Sequence, residues 1–118
     1  MEGHLWVEPQ QDLIIARIRG TPTKELIEEC QRKVLILLKD TELNRILYDS
    51  LEMENPTVDI AVHQQALEAQ YQSVRLRRAI VVPNTKIAFL SRLAFGDGEY
   101  RVFYNDMSAA IRWLAESG

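Results

Sequence analysis

The chain has 118 residues, a formal charge of −3, one cysteine, 47% hydrophobic and 26% charged residues. That balance excludes a fibrous or disordered chain and predicts a single globular domain, 1–118, whose core needs neither disulfides nor metals. The acidic excess argues against nucleic acid as a partner. The longest apolar run, Val34 to Leu38, is too short to span a bilayer, and Met1-Glu2-Gly3-His4 lacks the features of a signal peptide, so a cytoplasmic protein is expected.

The elements follow in order. His4 to Val7 reads as a short strand with Leu5 and Val7 on one face and Trp6 on the other, and Pro9-Gln10-Gln11-Asp12 reads as a turn. Leu13 to Arg19 is an Ile-rich second strand that a short connection pairs antiparallel with the first. Gly20 breaks it, and Thr21-Pro22 fits a helix start, with Thr21 as N-cap and Pro22 at the first helical position. Leu26, Ile27, Cys30, Val34, Leu37 and Leu38 recur at threes and fours, the spacing of a core-facing helical stripe.

Arg45 to Asp49 is a third strand, nearly continuous in apolar residues as strands buried on both faces are. A polar, acidic loop covers Ser50 to Thr57. The spacing then predicts a second helix from Val58 to about Ser73, with Val58, Val62, Ala66 and Ala69 in one row and Leu67, Tyr71 and Val74 in another. Arg78 to Pro83 is the most apolar strand and is expected to be central, ended by a proline that cannot donate to a ladder. Asn84 suits the cap of a third helix running to about Phe95, with Ile87, Leu90, Leu93 and Ala94 inward and Gly96 closing it. Glu99 to Tyr104 is a fifth strand. Asn105 or Asp106 caps a last helix, where Met107, Ala110, Ile111 and Leu114 repeat at helical spacing beside Trp113. The order is ββαβαβαβα, an α/β fold with a mostly parallel five-stranded sheet and four helices.

Chemistry-bearing residues are sparse. Asp49, Glu52, Glu54 and Asp59 surround one loop at the carboxyl end of a parallel strand, where open α/β sheets bind ligands; without a ligand spacing, a solvated loop is the simpler reading. Asp49 and Ser50 are candidates to orient a ligand or a partner's backbone, against the simpler use of Asp49 as an acceptor for loop amides. Cys30 lies in the apolar stripe of the first helix, and Ile36 stands where a Cys-x5-Arg phosphatase loop needs arginine, so a buried structural thiol is expected. His4 and His63 are isolated and read as boundary residues. Arg75, Arg77 and Arg78, with Arg92 and Arg101 nearby, suit a phosphate or an acidic partner but read more simply as solvated arginines at a helix–strand junction. Gly96-Asp97-Gly98 is a turn rather than a phosphate loop. Trp6, Tyr48, Tyr71, Phe89, Phe95 and Phe103 fall mostly at core periodicity. Phe89 and Phe95 lie partly off the inward row of the third helix, as a dimer face or the mouth of an apolar pocket requires.

Three segments resemble the SpoIIAA-like group of STAS-type domains. Ile46-Leu47-Tyr48-Asp49 looks like the third strand of that family and its terminal acid, and Arg78-Ala79-Ile80-Val81-Val82-Pro83 looks like the fourth. Arg101-Val102-Phe103 through Ala109-Ala110-Ile111-Arg112-Trp113-Leu114 looks like its closing strand and helix. The likeness runs from Trp6 to Leu114. It implies a small sheet covered by helices, self-association, and protein recognition or apolar-ligand binding. The anti-sigma antagonists of that family carry a phosphorylatable serine in an Asp-Ser-Ser-Gly-like stretch. The matching region here is Asn55-Pro56-Thr57-Val58-Asp59, so Thr57 is the hydroxyl available and the serine switch does not carry over.

The expectation is thus a non-enzymatic binding or regulatory module without a cofactor, the expected partners being a second copy of itself in a homodimer or another protein. The alternative is a carrier or sensor of a small apolar, lipid-like ligand held against the sheet or at the dimer seam. The residues singled out for ligand or partner binding are Asp49, Ser50, Thr57, Phe89 and Phe95.

Overall fold

A computed structural model of the chain describes residues 3–68, 76–95 and 99–116. Strands β1 (His4–Gln10) and β2 (Leu13–Arg19) form an antiparallel hairpin; helix α1 (Lys24–Thr41), β3 (Arg45–Asp49), α2 (Val58–Glu68), β4 (Arg77–Val82), α3 (Thr85–Phe95), β5 (Tyr100–Tyr104) and α4 (Met107–Ala115) follow. The sheet is mixed, with spatial order β1-β2-β3-β4-β5 and every pair after the first parallel. Strand β3 therefore holds the middle and the more apolar β4 lies one place from the edge. Burial of β4 comes from helices on both of its faces, not from a central position in the sheet.

Period-two alternation sorts the strand residues between two cores. Ile14, Ala16, Ile46, Tyr48, Ile80 and Val82 join Cys30 and Val34 of α1, Ala61 of α2 and Ile87, Leu90 and Phe95 of α3 in the larger one. Leu47, Ala79 and Val81 meet Ala110 and Leu114 of α4 in the smaller one, with Phe103 and Trp113 beside them. Helices α1, α2 and α3 thus form one layer, and α4 covers the opposite face over β3, β4 and β5. The other face of the β1–β2 hairpin has no helix on it among the described residues.

Several local signals resolve differently from the sequence reading. Strand β1 extends through Pro9, as an edge strand permits, and the reversal is made at Gln11 with φ 56°. Thr21 does not cap α1, because Gly20 is engaged with the loop after β3: its N–H donates to Glu52 O at 3.0 Å and its carbonyl accepts from Glu54 N at 2.9 Å. The cap is Thr23, whose Oγ1 accepts from Leu26 N at 3.1 Å. Asn84 and Asp106 do cap α3 and α4, accepting from Ile87 N at 2.9 Å and Ala109 N at 3.0 Å. The expected end of α2, with Ala69, Tyr71 and Val74, lies outside the described residues, as do Arg75 and Gly96-Asp97-Gly98.

The largest departure concerns α2. Val58 and Val62, expected to face inward, are 58% and 48% exposed, and Ala66 of the same row is exposed as well. Helix α2 packs against α1 and α3. It does so through Ala61, the buried residue of its described length, and through half-buried Ile60, Gln64 and Leu67. Small and polar groups suit a close helix–helix approach, and that contact decides which row is left outside. Helix α4 shows a milder case, in which Ala110 and Leu114 are buried but Ile111 is 45% exposed.

Candidate functional site

Two of the arginines expected to be solvated, Arg77 and Arg78, are structural. Consecutive strand residues point to opposite faces, so Arg77 and Arg78 serve different cores. Arg77 stacks its guanidinium 4.0 Å from the Trp113 ring centre and reaches Glu99 at 3.8 Å and Glu116 at 3.5 Å. Arg45 donates to the Leu114 carbonyl, so two arginines hold the end of α4 against the sheet. Arg78, 5% exposed, pairs with the Glu68 carboxylate at the end of α2 and stacks 5.1 Å from the Phe95 ring centre. Burial pushes Glu68 up to about 7, against the downward pull of Arg78.

The other titratable candidates are quiet. Cys30 is buried, and burial pushes its thiol up to about 12. Alkylation of native protein by iodoacetamide is therefore expected to be at least about a hundredfold slower than alkylation in denaturant; mass spectrometry of timed samples checks this, and equal rates would show an accessible thiolate. His63 Nε2 lies 3.0 Å from Glu28 Oε1 and ties α2 to α1. His4 is exposed on β1, its ring 6.0 Å from that of Trp6. Among the described residues no group of three or more His, Cys, Asp or Glu is placed to hold a metal ion.

The acidic loop is an ordered brace. Asp49 Oδ1 accepts from Leu51 N at 3.2 Å, and Asp49 Oδ2 lies 3.5 Å from Arg17 Nε. Ser50 is buried, and its N–H donates to Val81 O at 2.9 Å, which extends the strand pairing by one step. Glu52 takes the Arg19 Nε hydrogen bond at 2.8 Å, and this hydrogen bond holds its carboxyl below the usual range. Glu54 accepts from the Thr21 hydroxyl. The loop is thus bound to Arg17, Arg19, Gly20 and Thr21, on β2 and just after it. Thr57 stands exposed just ahead of α2. Its carbonyl accepts from Ala61 N at 3.2 Å and its hydroxyl donates to Asp59, whose carboxyl is lowered chiefly by that hydrogen bond.

The two phenylalanines of α3 part company. Phe89 is 64% exposed, the most open large apolar side chain described. Phe95 is 6% exposed; its ring meets Tyr48 edge-on at 5.0 Å and Tyr100 at 5.8 Å. The expectation that Phe95 shares an outer face with Phe89 is corrected: six positions along a helix turn a side chain by about 240°, which carries Phe95 into the core. Phe89 instead shares the outer layer with Val58 and Val62 of the adjoining α2. Arg92 flanks it, with Nη2 3.4 Å from the Tyr104 hydroxyl. The structure therefore leaves exposed both Phe89 and, on the adjoining helix, a row of α2 whose periodicity suits the core. It leaves Asp49, Ser50 and Thr57 in a brace that ends at the first turn of α2.

No family model matches the chain, and no curated protein matches it significantly in sequence. Solved structures do match in shape. An anti-sigma factor antagonist from Mycobacterium paratuberculosis superposes with a TM-score of 0.71 at 13% identity, covering 98% of this chain and 96% of that one. The unphosphorylated form of the anti-sigma factor antagonist SpoIIAA gives 0.67 at 11% identity, over 96% of this chain and 100% of that chain. This chain has a SpoIIAA-like fold. An uncharacterized DUF3478 protein with a SpoIIAA-like fold from Shewanella loihica PV-4 has a TM-score of 0.63 and 22% identity, over 95% of this chain and 93% of that one. The SpoIIAA-like fold accounts for the mixed sheet, the three-helix layer and the single helix behind. Among the described residues no helix is long and apolar enough to cross a membrane.

Proposed function

We propose that this SpoIIAA-like domain is a non-enzymatic, cytoplasmic binding and regulatory module that recognises a protein through the outer side of α2 and α3. The observation that carries this reading is the exposure of Val58, Val62 and Phe89 on two helices packed against each other. Single exposed apolar residues are ordinary, but three on one helical layer form the kind of surface that partners cover. Phe89 supplies the large aromatic anchor typical of binding hot spots. Thr57 and the braced loop lie at the amino end of α2 and border that surface. Two of the solved structures that share the fold are anti-sigma factor antagonists, which favours a protein partner. A second copy of the chain is one such partner, forming a homodimer.

A carrier role for an apolar ligand has less behind it. The apolar notch between α1, α2 and α3, lined by Ile27, Met53, Ile60 and Leu90 among others, has a volume of about 30 Å³, room for a single water.

The test uses Phe89→Glu. Because Phe89 is exposed, the change is expected to alter stability by less than about 0.5 kcal/mol. It is also expected to lower retention of the wild-type partner, or the dimer fraction by light scattering, at least about tenfold. Immobilised wild-type and variant protein of equal Tm, compared by quantitative mass spectrometry, would decide it. Partners and mass unchanged by the substitution would overturn the proposal.

A further inference from the structure

On the α4 side of the sheet, over the β1–β2 hairpin that α4 does not reach, a groove of about 300 Å³ is lined by Trp6, Glu8, Ile15, Arg17 and Asp49. Strand register places them: Trp6 is opposite Arg17, Glu8 is opposite Ile15, and Arg17 is opposite Asp49 across the next pair. All five belong to strands, so their positions are set by the ladder and not by a loop. The groove lies on the sheet face opposite the three-helix layer, and Arg17 and Asp49 are the residues it shares with the loop brace.

Its chemistry is mixed in a particular way. Trp6 is 47% exposed and offers an indole face, with Arg19 5.7 Å from the ring centre. Ile15 supplies an apolar floor. Arg17 is steadied by Asp49 at 3.5 Å and Glu52 at 3.3 Å, both beyond the roughly 2.7–2.9 Å of a charge-assisted hydrogen bond. Glu52 is already committed to Arg19 at 2.8 Å. The Arg17 guanidinium is therefore held in position with hydrogen-bonding capacity to spare. The Glu8 carboxylate enters no hydrogen bond or ion pair with the described residues. A plain anion would meet Glu8 and Asp49, and a plain cation would meet Arg17; repulsion by one wall excludes each. A molecule carrying both signs, with an apolar body between the walls, matches all five residues.

We propose that this groove binds a small zwitterion with an apolar body, of the class of free amino acids with aromatic or branched side chains. The carboxylate pairs with Arg17, the ammonium group with Glu8 and Asp49, and the side chain lies on Trp6 and Ile15. A space of 300 Å³ is at the lower end for small-molecule sites and suits a ligand of that size.

The two tryptophans make the test direct, because Trp6 lies in the groove and Trp113 belongs to α4, its ring beside Phe103. L-phenylalanine and L-leucine are titrated to about 10 mM against the full chain, and both indole N–H signals are followed by NMR. A saturable shift of Trp6 with Trp113 unmoved is expected. N-acetyl-phenylalanine and phenylalaninamide, which each lack one charge, are expected to bind at least about tenfold more weakly, as is the zwitterion to Arg17→Gln protein. The Arg17 side chain is 44% exposed, so that variant is expected to keep the wild-type Tm. No shift of Trp6, or equal binding of the blocked analogues, would overturn the proposal. So would conversion of a dimer into a monomer by Trp6→Ala, which would show that a second copy covers this face.

Discussion

Arg78→Ala is expected to cost about 3–5 kcal/mol at about pH 8, because it leaves the Glu68 carboxylate buried without its counter-charge. Glu68 and Arg78 side chains are 9% and 5% exposed, and the guanidinium also packs on Phe95, so water does not replace what is removed. The loss should depend on pH in a defined direction. In the folded chain Glu68 sits at about 7, against an ordinary value of 4.5. Between those values the folded state binds the extra proton. For this group, stability is fully present below the unfolded value and declines as pH rises through about 7. In Arg78→Ala the carboxyl can shed its charge at low pH, so the deficit should shrink towards about pH 5. Urea unfolding of both proteins at the two pH values tests this, and an equal deficit at both would show that lost packing, not the stranded charge, is responsible. Replacing both partners, Glu68→Met with Arg78→Met, should recover much of the loss, since apolar substitutes of similar shape need no counter-ion.

Phe95→Ala should cost a similar amount, about 3–5 kcal/mol, or roughly 10–20 °C in Tm. The ring lies among Tyr48, Tyr100 and the Arg78 guanidinium. Its removal opens a cavity where α3 meets β3, β4 and β5, and forfeits an edge-to-face contact and a cation–π contact together. Phe89→Ala, six residues earlier on the same helix, should change Tm by no more than about 2 °C. Thermal unfolding of the two variants in parallel is decisive. Comparable losses would mean that Phe89 is covered, and a small loss for Phe95 would mean that the site collapses readily around the missing ring.

The contrast between these two residues shows where sequence reasoning stops. Both are aromatic and both lie off the main inward row, but six helical positions turn them about 240° apart, and the strands that arrive on one side decide which of them is covered. The same holds for Arg77 and Arg78. Adjacent basic residues at a junction read as solvated, yet strand alternation sends one under α4 and the other under α3. Their partners, Glu68, Glu99 and Glu116, are distant in the chain or lie in another element, so no local pattern announces them. Trp6 was placed at core periodicity because its strand alternates. The alternation is genuine, but the face it assigns to Trp6 has no helix over it. One signal was available: a tryptophan that alternates with the polar residues His4 and Glu8, with Arg17 and Arg19 alternating on the next strand, describes a wet face.

Local chemistry alone determined the element order, the ends of β2, β3 and α3, the cap at Asn84 and the buried thiol at Cys30, and it narrowed the cap of α4 to Asn105 or Asp106. Those features depend on periodicity, capping and turn residues within a few positions of one another. Tertiary packing decided the rest: which row of α2 faces out, which phenylalanine is core, which arginines are paired, and which half of the sheet is bare. A side chain's burial is set by what arrives opposite it, and the three helices crowd one face of the sheet while a single short helix leaves part of the other open to water.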